Sequence, residues 1–229
     1  MKSRRALGAL LVIGLGLLAG LVAVPSAQAA TGSPPVTAPD SAKLLQGNFV
    51  AVFPIKNDHD PDNDLLTICR LGTEHYKGLE VGFFGDEFDV GASTKAKPGT
   101  YTFTYYTCDY SYLVPGTITV TVEKLPEIKV VPAGVGKIRV KNPFDFKIRF
   151  LYGSFKEGSP DGKVLIAPKG KVVLPVHRTK IDWVAYNRKG TIFCGTGHVT
   201  GIKLRVGQRV PTATPSLSPR LADAWRAAG

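Results

Sequence analysis

Tyr101-Thr102-Phe103-Thr104-Tyr105 alternates aromatic and polar side chains, and Ile118-Thr119-Val120-Thr121-Val122 repeats the pattern with aliphatic residues. A period of two puts successive side chains on opposite faces of an extended chain, so both stretches read as strands with one face on a core. Phe144, Phe146, Ile148, Phe150 and Tyr152 alternate in the same way with Asp145, Lys147 and Arg149, and stretches 172–176, 181–186 and 202–206 read as further strands. Turn signals fall between them: Pro98-Gly99, Pro115-Gly116, Ser159-Pro160-Asp161-Gly162 and Lys189-Gly190. Short strands punctuated at roughly 8–12 residues mark sandwiches or barrels. The one helix candidate, around 221–228, is too short to hold alone. The fold class expected is all-β.

The 229 residues, 44% of them hydrophobic, include 25 Gly and 17 Pro. That composition excludes wholesale disorder and leaves room for two domains of about 90–100 residues. The formal net charge of +11 is unevenly spread. Residues 31–124 hold seven Lys and Arg against twelve Asp and Glu, a net of −5, whereas residues 125–229 hold nineteen against six, a net of +13. Such a swing implies separate domains. The expected division is a leader at 1–30, an acidic sandwich at 31–124, a basic sandwich at 125–210 and a flexible tail at 211–229.

Lys2, Arg4 and Arg5 precede an uncharged apolar run at 6–24, which Pro25 breaks before the small-residue ending Ala27-Gln28-Ala29. This is the layout of a cleaved signal peptide. The competing reading is a membrane anchor, since the run nearly reaches spanning length. No comparable apolar run follows, so no membrane span is expected after cleavage. The expected location is secreted, extracellular or on the surface of a bacterium.

Cys69 and Cys108 lie in the same half of the chain on strand-like segments and form the plausible disulfide pair. With Leu66, Ile68, Phe103 and Tyr105 inward, parity puts both cysteines on outer faces. Cys194 is left over and reads as a small core residue.

The stretch from Val52 through Asn57-Asp58-His59-Asp60-Pro61-Asp62-Asn63-Asp64 to Leu66-Thr67-Ile68 resembles the acidic loop and following strand of bacterial cadherin-like and Ig-like modules. Gly99-Thr100-Tyr101-Thr102-Phe103-Thr104-Tyr105 is similar to a later strand of the family, and Gly116-Thr117-Ile118-Thr119-Val120-Thr121-Val122 to its closing strand. The likeness covers about residues 35–123. Asn63 stands where the family usually has Gly, and one copy is present where the family forms arrays. The resemblance implies an extracellular Ig-like sandwich used as a spacer or adhesive module, sometimes with calcium. With the basic half read as a second sandwich, the expected fold is all-β, two Ig-like sandwiches in tandem. Asn57, Asp58, Asp60, Asp62 and Asp64 offer the clustered hard oxygens that Ca²⁺ prefers, at the weak affinity of extracellular modules. The alternative is a solvated acidic turn shaped by Pro61 and Asn63.

In the basic half, alternation turns Lys137, Arg139, Lys141, Lys147 and Arg149 outward as a candidate polyanion-binding stripe. Outward charge that keeps a β-protein soluble is the plainer explanation. There is no nucleophile elbow, no zinc-protease helix and no phosphate loop. The four histidines are scattered. The expected function is a secreted, non-catalytic adhesion or matrix module partnering a cell-surface component. The runner-up is a binder of anionic wall polymer or extracellular nucleic acid.

Overall fold

Fourteen strands are present among the residues that the computed structural model describes, which are 32–205, 207 and 215–228. The expected leader lies outside them. The first seven strands are β1 (Asp40–Leu45), β2 (Phe49–Val52), β3 (Thr67–Leu71), β4 (Leu79–Phe84), β5 (Glu87–Ala92), β6 (Gly99–Cys108) and β7 (Leu113–Glu123). They pair as β1-β7-β6-β3 and β2-β5-β4. Third, sixth and seventh strands in one sheet, with second, fourth and fifth in the other, is the immunoglobulin arrangement. Here the first strand joins the seventh in parallel, from Asp40 opposite Ile118 to Leu45 opposite Glu123.

The alternating stretches build the core between these sheets. Phe103, Tyr105, Ile118, Val120 and Val122 are buried, packed with Phe88 and Val90 from the facing sheet. Each such side chain contributes roughly 1.5–3 kcal/mol by leaving water. Gly116 lies under the Tyr105 ring, where a Cβ would come within 2.2 Å of Cζ.

The second set is β8 (Lys129–Pro132), β9 (Lys137–Lys141), β10 (Ile148–Gly153), β11 (Pro160–Ile166), β12 (Lys171–Pro175), β13 (Ile181–Asn187) and β14 (Phe193–Val199). They pair as β11-β10-β13-β14 and β12-β9-β8 around a core of Ile138, Val140, Phe150, Ile166, Trp183 and their neighbours. The strand expected from Phe144 begins only at Ile148. Asn142 is fully buried and folds the preceding segment into a loop, its amide donating to Phe146 O (2.9 Å) and Ala167 O (2.8 Å) while its Oδ1 accepts from Phe144 N–H (2.9 Å). The last strand is Phe193–Val199, not 202–206. Ile202 is buried, but residues 202–205 belong to no strand.

The tail departs most from expectation. Pro219–Ala228 forms helix α1, with Leu221 and Trp225 buried at i and i+4 against Leu151 and Val184. Trp225 meets Phe155 edge-on at 4.6 Å between ring centroids. The sheet partner supplies the stability that so short a helix lacks alone.

Gly32–Gly229 is one compact unit, so the two sandwiches are fastened together. Leu45 and Leu125 pack on the second core, and Leu125 N–H donates to Gln46 Oε1 (3.0 Å). Asn48 pairs with the backbone of Phe193 in both directions, Nδ2 to O at 3.0 Å and N–H to Oδ1 at 2.7 Å. Gly47 takes φ +78° beside them, where a Cβ would come within 2.7 Å of the Phe193 ring.

Candidate functional site

The acidic loop is held inward by its own hydrogen bonds. Asp58 accepts from Ala38 N–H (2.9 Å) and, through both oxygens, from the buried Tyr105 hydroxyl (3.0 and 2.8 Å). Burial, reinforced by Asp58, holds the Tyr105 hydroxyl protonated far above the usual tyrosine range. Asp60 Oδ1 accepts from the N–H groups of Asp62 (2.8 Å) and Asp64 (3.2 Å), closing the turn. Asp62 accepts from Ser33 N–H, and Asn57 donates to Asp40 Oδ1 (3.2 Å). Asn63 takes φ +62°, so asparagine fills the left-handed position that glycine would favour.

Calcium needs six to eight converging oxygens. Among the described residues no three His, Cys, Asp or Glu side chains converge as a metal-holding group. Asp40 Oδ2 and Asp60 Oδ2 are buried without partners, but Asp58 and Asp62 are turned to other acceptor duties and Asp64 is exposed. As arranged, the five residues do not fit the ion. Asp40, opposed by burial and then by the charge of Asp58, has its carboxyl pushed up despite the Asn57 hydrogen bond.

Cys69 and Cys108 are joined by a disulfide, their Cα atoms 6.0 Å apart. They are on adjacent strands of one sheet: Thr67 faces Cys108, and the β3–β6 register slips between Ile68 and Arg70, leaving Cys69 as the bulged residue. The bond thus staples the end of the β3–β6 ladder from outside the core. Cys194 is free and buried, and burial pushes its thiol up to about 12.

The five cations expected to form one stripe do not share a face. Lys137, Arg139 and Lys141 point outward from β9, the middle strand of β12-β9-β8. Arg149 belongs to the other sheet, turned to the α1 side of β10, and Lys147 lies in the loop that leads into that strand. Alternation on either side of Asn142-Pro143 puts all five outward, but the Asn142 loop carries the chain across the sandwich, from one sheet to the other.

In their place the register supplies two lysines that periodicity alone missed. Lys141 lies directly opposite Lys129 on β8 and Lys171 on β12, and all three are exposed. One row on, Arg139 lies between Val131 and Val173, both nearly half exposed. Lys137 and Pro175 follow. The signal was present in Lys129-Val130-Val131 and Lys171-Val172-Val173, which present a lysine at matching positions, but only pairing aligns them. Among the described residues none of these five cations takes part in an ion pair.

A cleft of about 730 Å³ lies where the sandwiches meet, lined among others by Asn48, Phe49, His75, Glu80, Tyr186 and Phe193. Arg178 is held by Asp161 (Nε to Oδ2, 2.7 Å) and by Glu157, so it serves the fold at the β11 end.

No protein-family model matches the chain, and no curated protein matches it. Among solved structures it is similar to the I-band fragment I67-I69 of titin, at 9% identity and a TM-score of 0.31, covering 75% of this chain and 66% of that fragment. It is similar to a titin M10–obscurin-like 1 Ig complex at 16% identity and a TM-score of 0.25, over 42% of this chain and 100% of that one. An endo-fucoidan hydrolase of glycoside hydrolase family 107 aligns at 13% identity and a TM-score of 0.33, over 76% of this chain and 29% of that one. The chain spans just under two thirds of the titin fragment and less than a third of the hydrolase. TM-scores this low carry no weight for fold or activity. The sandwich assignment stands on strand order and register.

Proposed function

We propose that this chain is an exported, non-catalytic module of the cell surface or matrix, of the cadherin-like kind its first sandwich resembles, and that its second sandwich attaches it to an anionic polymer. The observation carrying this reading is the row Lys129, Lys141 and Lys171. Directly opposed residues on neighbouring strands have Cβ atoms about 4.5–5.5 Å apart, and like charges placed so are destabilising. None of the three lysines of this row takes part in an ion pair with a carboxylate among the described residues. A polymer with repeating phosphates or sulfates would relieve it and release its own counterions. The Cys69–Cys108 bond supports export, because disulfides persist in oxidising compartments.

The test is binding of Gly32–Gly229 to polyphosphate and to duplex DNA. The expected result is binding to both, with no sequence preference and a steep fall with salt. K129E/K141E/K171E should weaken it strongly and leave the fold intact, since all three side chains are exposed. A chain that ignores both polymers at about 10 mM salt, where the Debye length is near 30 Å, overturns the reading.

A further inference from the structure

The outer face of the β2-β5-β4 sheet carries the opposite chemistry to the lysine row. On β5, Phe88, Val90 and Ala92 are buried, so Glu87, Asp89 and Gly91 face outward. Pairing lines them up with β4, Gly91 opposite Glu80, Asp89 opposite Gly82 and Glu87 opposite Phe84. On the other side Gly91 faces Phe49 and Asp89 faces Ala51. The middle of this face is therefore low: a Cβ added at Gly82 would meet nothing within 4 Å. Its ends are aromatic, with Phe49 73% and Phe84 86% exposed. Among the described residues Glu80, Glu87 and Asp89 take part in no ion pair, and no strand residue on this face is a cation.

Each chain thus presents two three-stranded faces of opposite sign, one on each sandwich. One has carboxylates on and beside its middle strand over a low centre. The other has Arg139 at its centre, flanked by Val131 and Val173, with lysines above and below. We infer that the acidic face of one copy takes the basic face of a second copy of this chain. Glu80, Glu87 and Asp89 neutralise Lys129, Arg139 and Lys171, and exposed Phe49 and Phe84 cover the valines and lysine stems. A contact between two different surfaces is heterologous, so it propagates or closes into a ring. A matrix module that builds its own chains needs such a contact.

The size of the faces sets its strength. Three strands about 4.8 Å apart and three rows of outward residues about 6.8 Å apart give close to 300 Å². A standard stable interface uses about 800 Å² per partner. The contact is accordingly weak, populated at high local concentration and removed by salt.

This inference shares the basic face with the polymer reading, and the acidic face separates the two. Sedimentation velocity of Gly32–Gly229 up to about 1 mM is the experiment, in the range where so small a contact is populated. The mean mass should rise with concentration at low salt and return to that of the monomer at about 0.5 M salt, where charges are screened within a few ångströms. E80K/E87K/D89K should stay monomeric yet still bind polyphosphate, and K129E/R139E/K171E should stay monomeric and lose polyphosphate. Mixing the two variants should restore association, because one is then basic on both faces and the other acidic on both. A wild type monomeric under all conditions, association that survives either variant, or a mixture that stays monomeric overturns the inference. Loss of polyphosphate binding alone would overturn only the polymer reading.

Discussion

The two sandwiches share their third, sixth and seventh strands in one sheet and differ in almost everything added to that frame. In the first, the fourth strand joins the second and fifth, and the first strand runs parallel to the seventh. In the second, the fourth strand crosses to the other sheet. The first is fastened by Cys69–Cys108 and by a buried Tyr105–Asp58 hydrogen bond. The second lacks a disulfide among the described residues and is fastened by Asn142 inside and helix α1 outside. Their free three-stranded faces are acidic and basic. Equivalent frames can therefore be secured by different chemistry, while the outward rows remain available for recognition.

The difference in fastening can be broken from each side. The largest effect is expected at Trp225, which is fully buried under α1. Trp225→Ala should cost about 3–5 kcal/mol, as large aromatic deletions do. Urea unfolding followed by the remaining Trp183 would read it, and a loss below about 1 kcal/mol would make the helix an ornament. Next comes the disulfide. Cys69→Ala with Cys108→Ala should destabilise the protein by roughly 4 kcal/mol, given a loop closed across 39 residues.

Alkali should separate the two regions by pH. Tyr105 and Cys194 both have raised pKa values in the fold. Each therefore contributes stability present below its unfolded pKa and lost as pH rises through the folded one. The loss linked to Cys194 should begin near pH 8.5 and run to about 12, and that linked to Tyr105 only above about pH 10. Cys194→Ala should flatten the earlier part of the denaturation profile and leave the later part. The smallest effect is expected from calcium. The melting temperature should not move at about 10 mM Ca²⁺, well above the affinity range of extracellular modules. A rise lost on Asp60→Ala with Asp62→Ala would instead show the acidic loop opening around the ion.

Much of this architecture was legible in alternation. Residues 101–105 and 118–122 form paired strands in which Phe103 faces Ile118 and Tyr101 faces Val120, with Phe103, Tyr105, Ile118, Val120 and Val122 buried and Tyr101 half-buried. Parity also put Cys108 outward. What period two could not reveal was contact on the second face. Leu151 and Val184 break the alternation because α1 covers them, and the Leu221–Trp225 spacing means little until that sheet is placed beneath it. The stripe failed for a related reason: alternation puts the cations on either side of Asn142-Pro143 outward alike. Whether that break is a kink within one sheet or a crossing between two is decided by the burial of Asn142, a tertiary event. The acidic loop misled through composition. Asn57, Asp58, Asp60, Asp62 and Asp64 suggest a cation, but Asp58 accepts from Ala38 N–H and the Tyr105 hydroxyl, and Asp60 Oδ1 accepts from two N–H groups of the loop itself.

The lysine row is tested by the salt dependence of binding to duplex DNA. If Lys129, Lys141 and Lys171 each neutralise a phosphate, the slope of log binding constant against log salt falls by about 0.9 per lysine removed. K129E/K141E/K171E should therefore flatten the slope by close to three units and weaken binding uniformly across sequences, while E80K/E87K/D89K leaves the slope no shallower. A triple lysine variant with the wild-type slope and affinity would show that the row is not where the polymer sits.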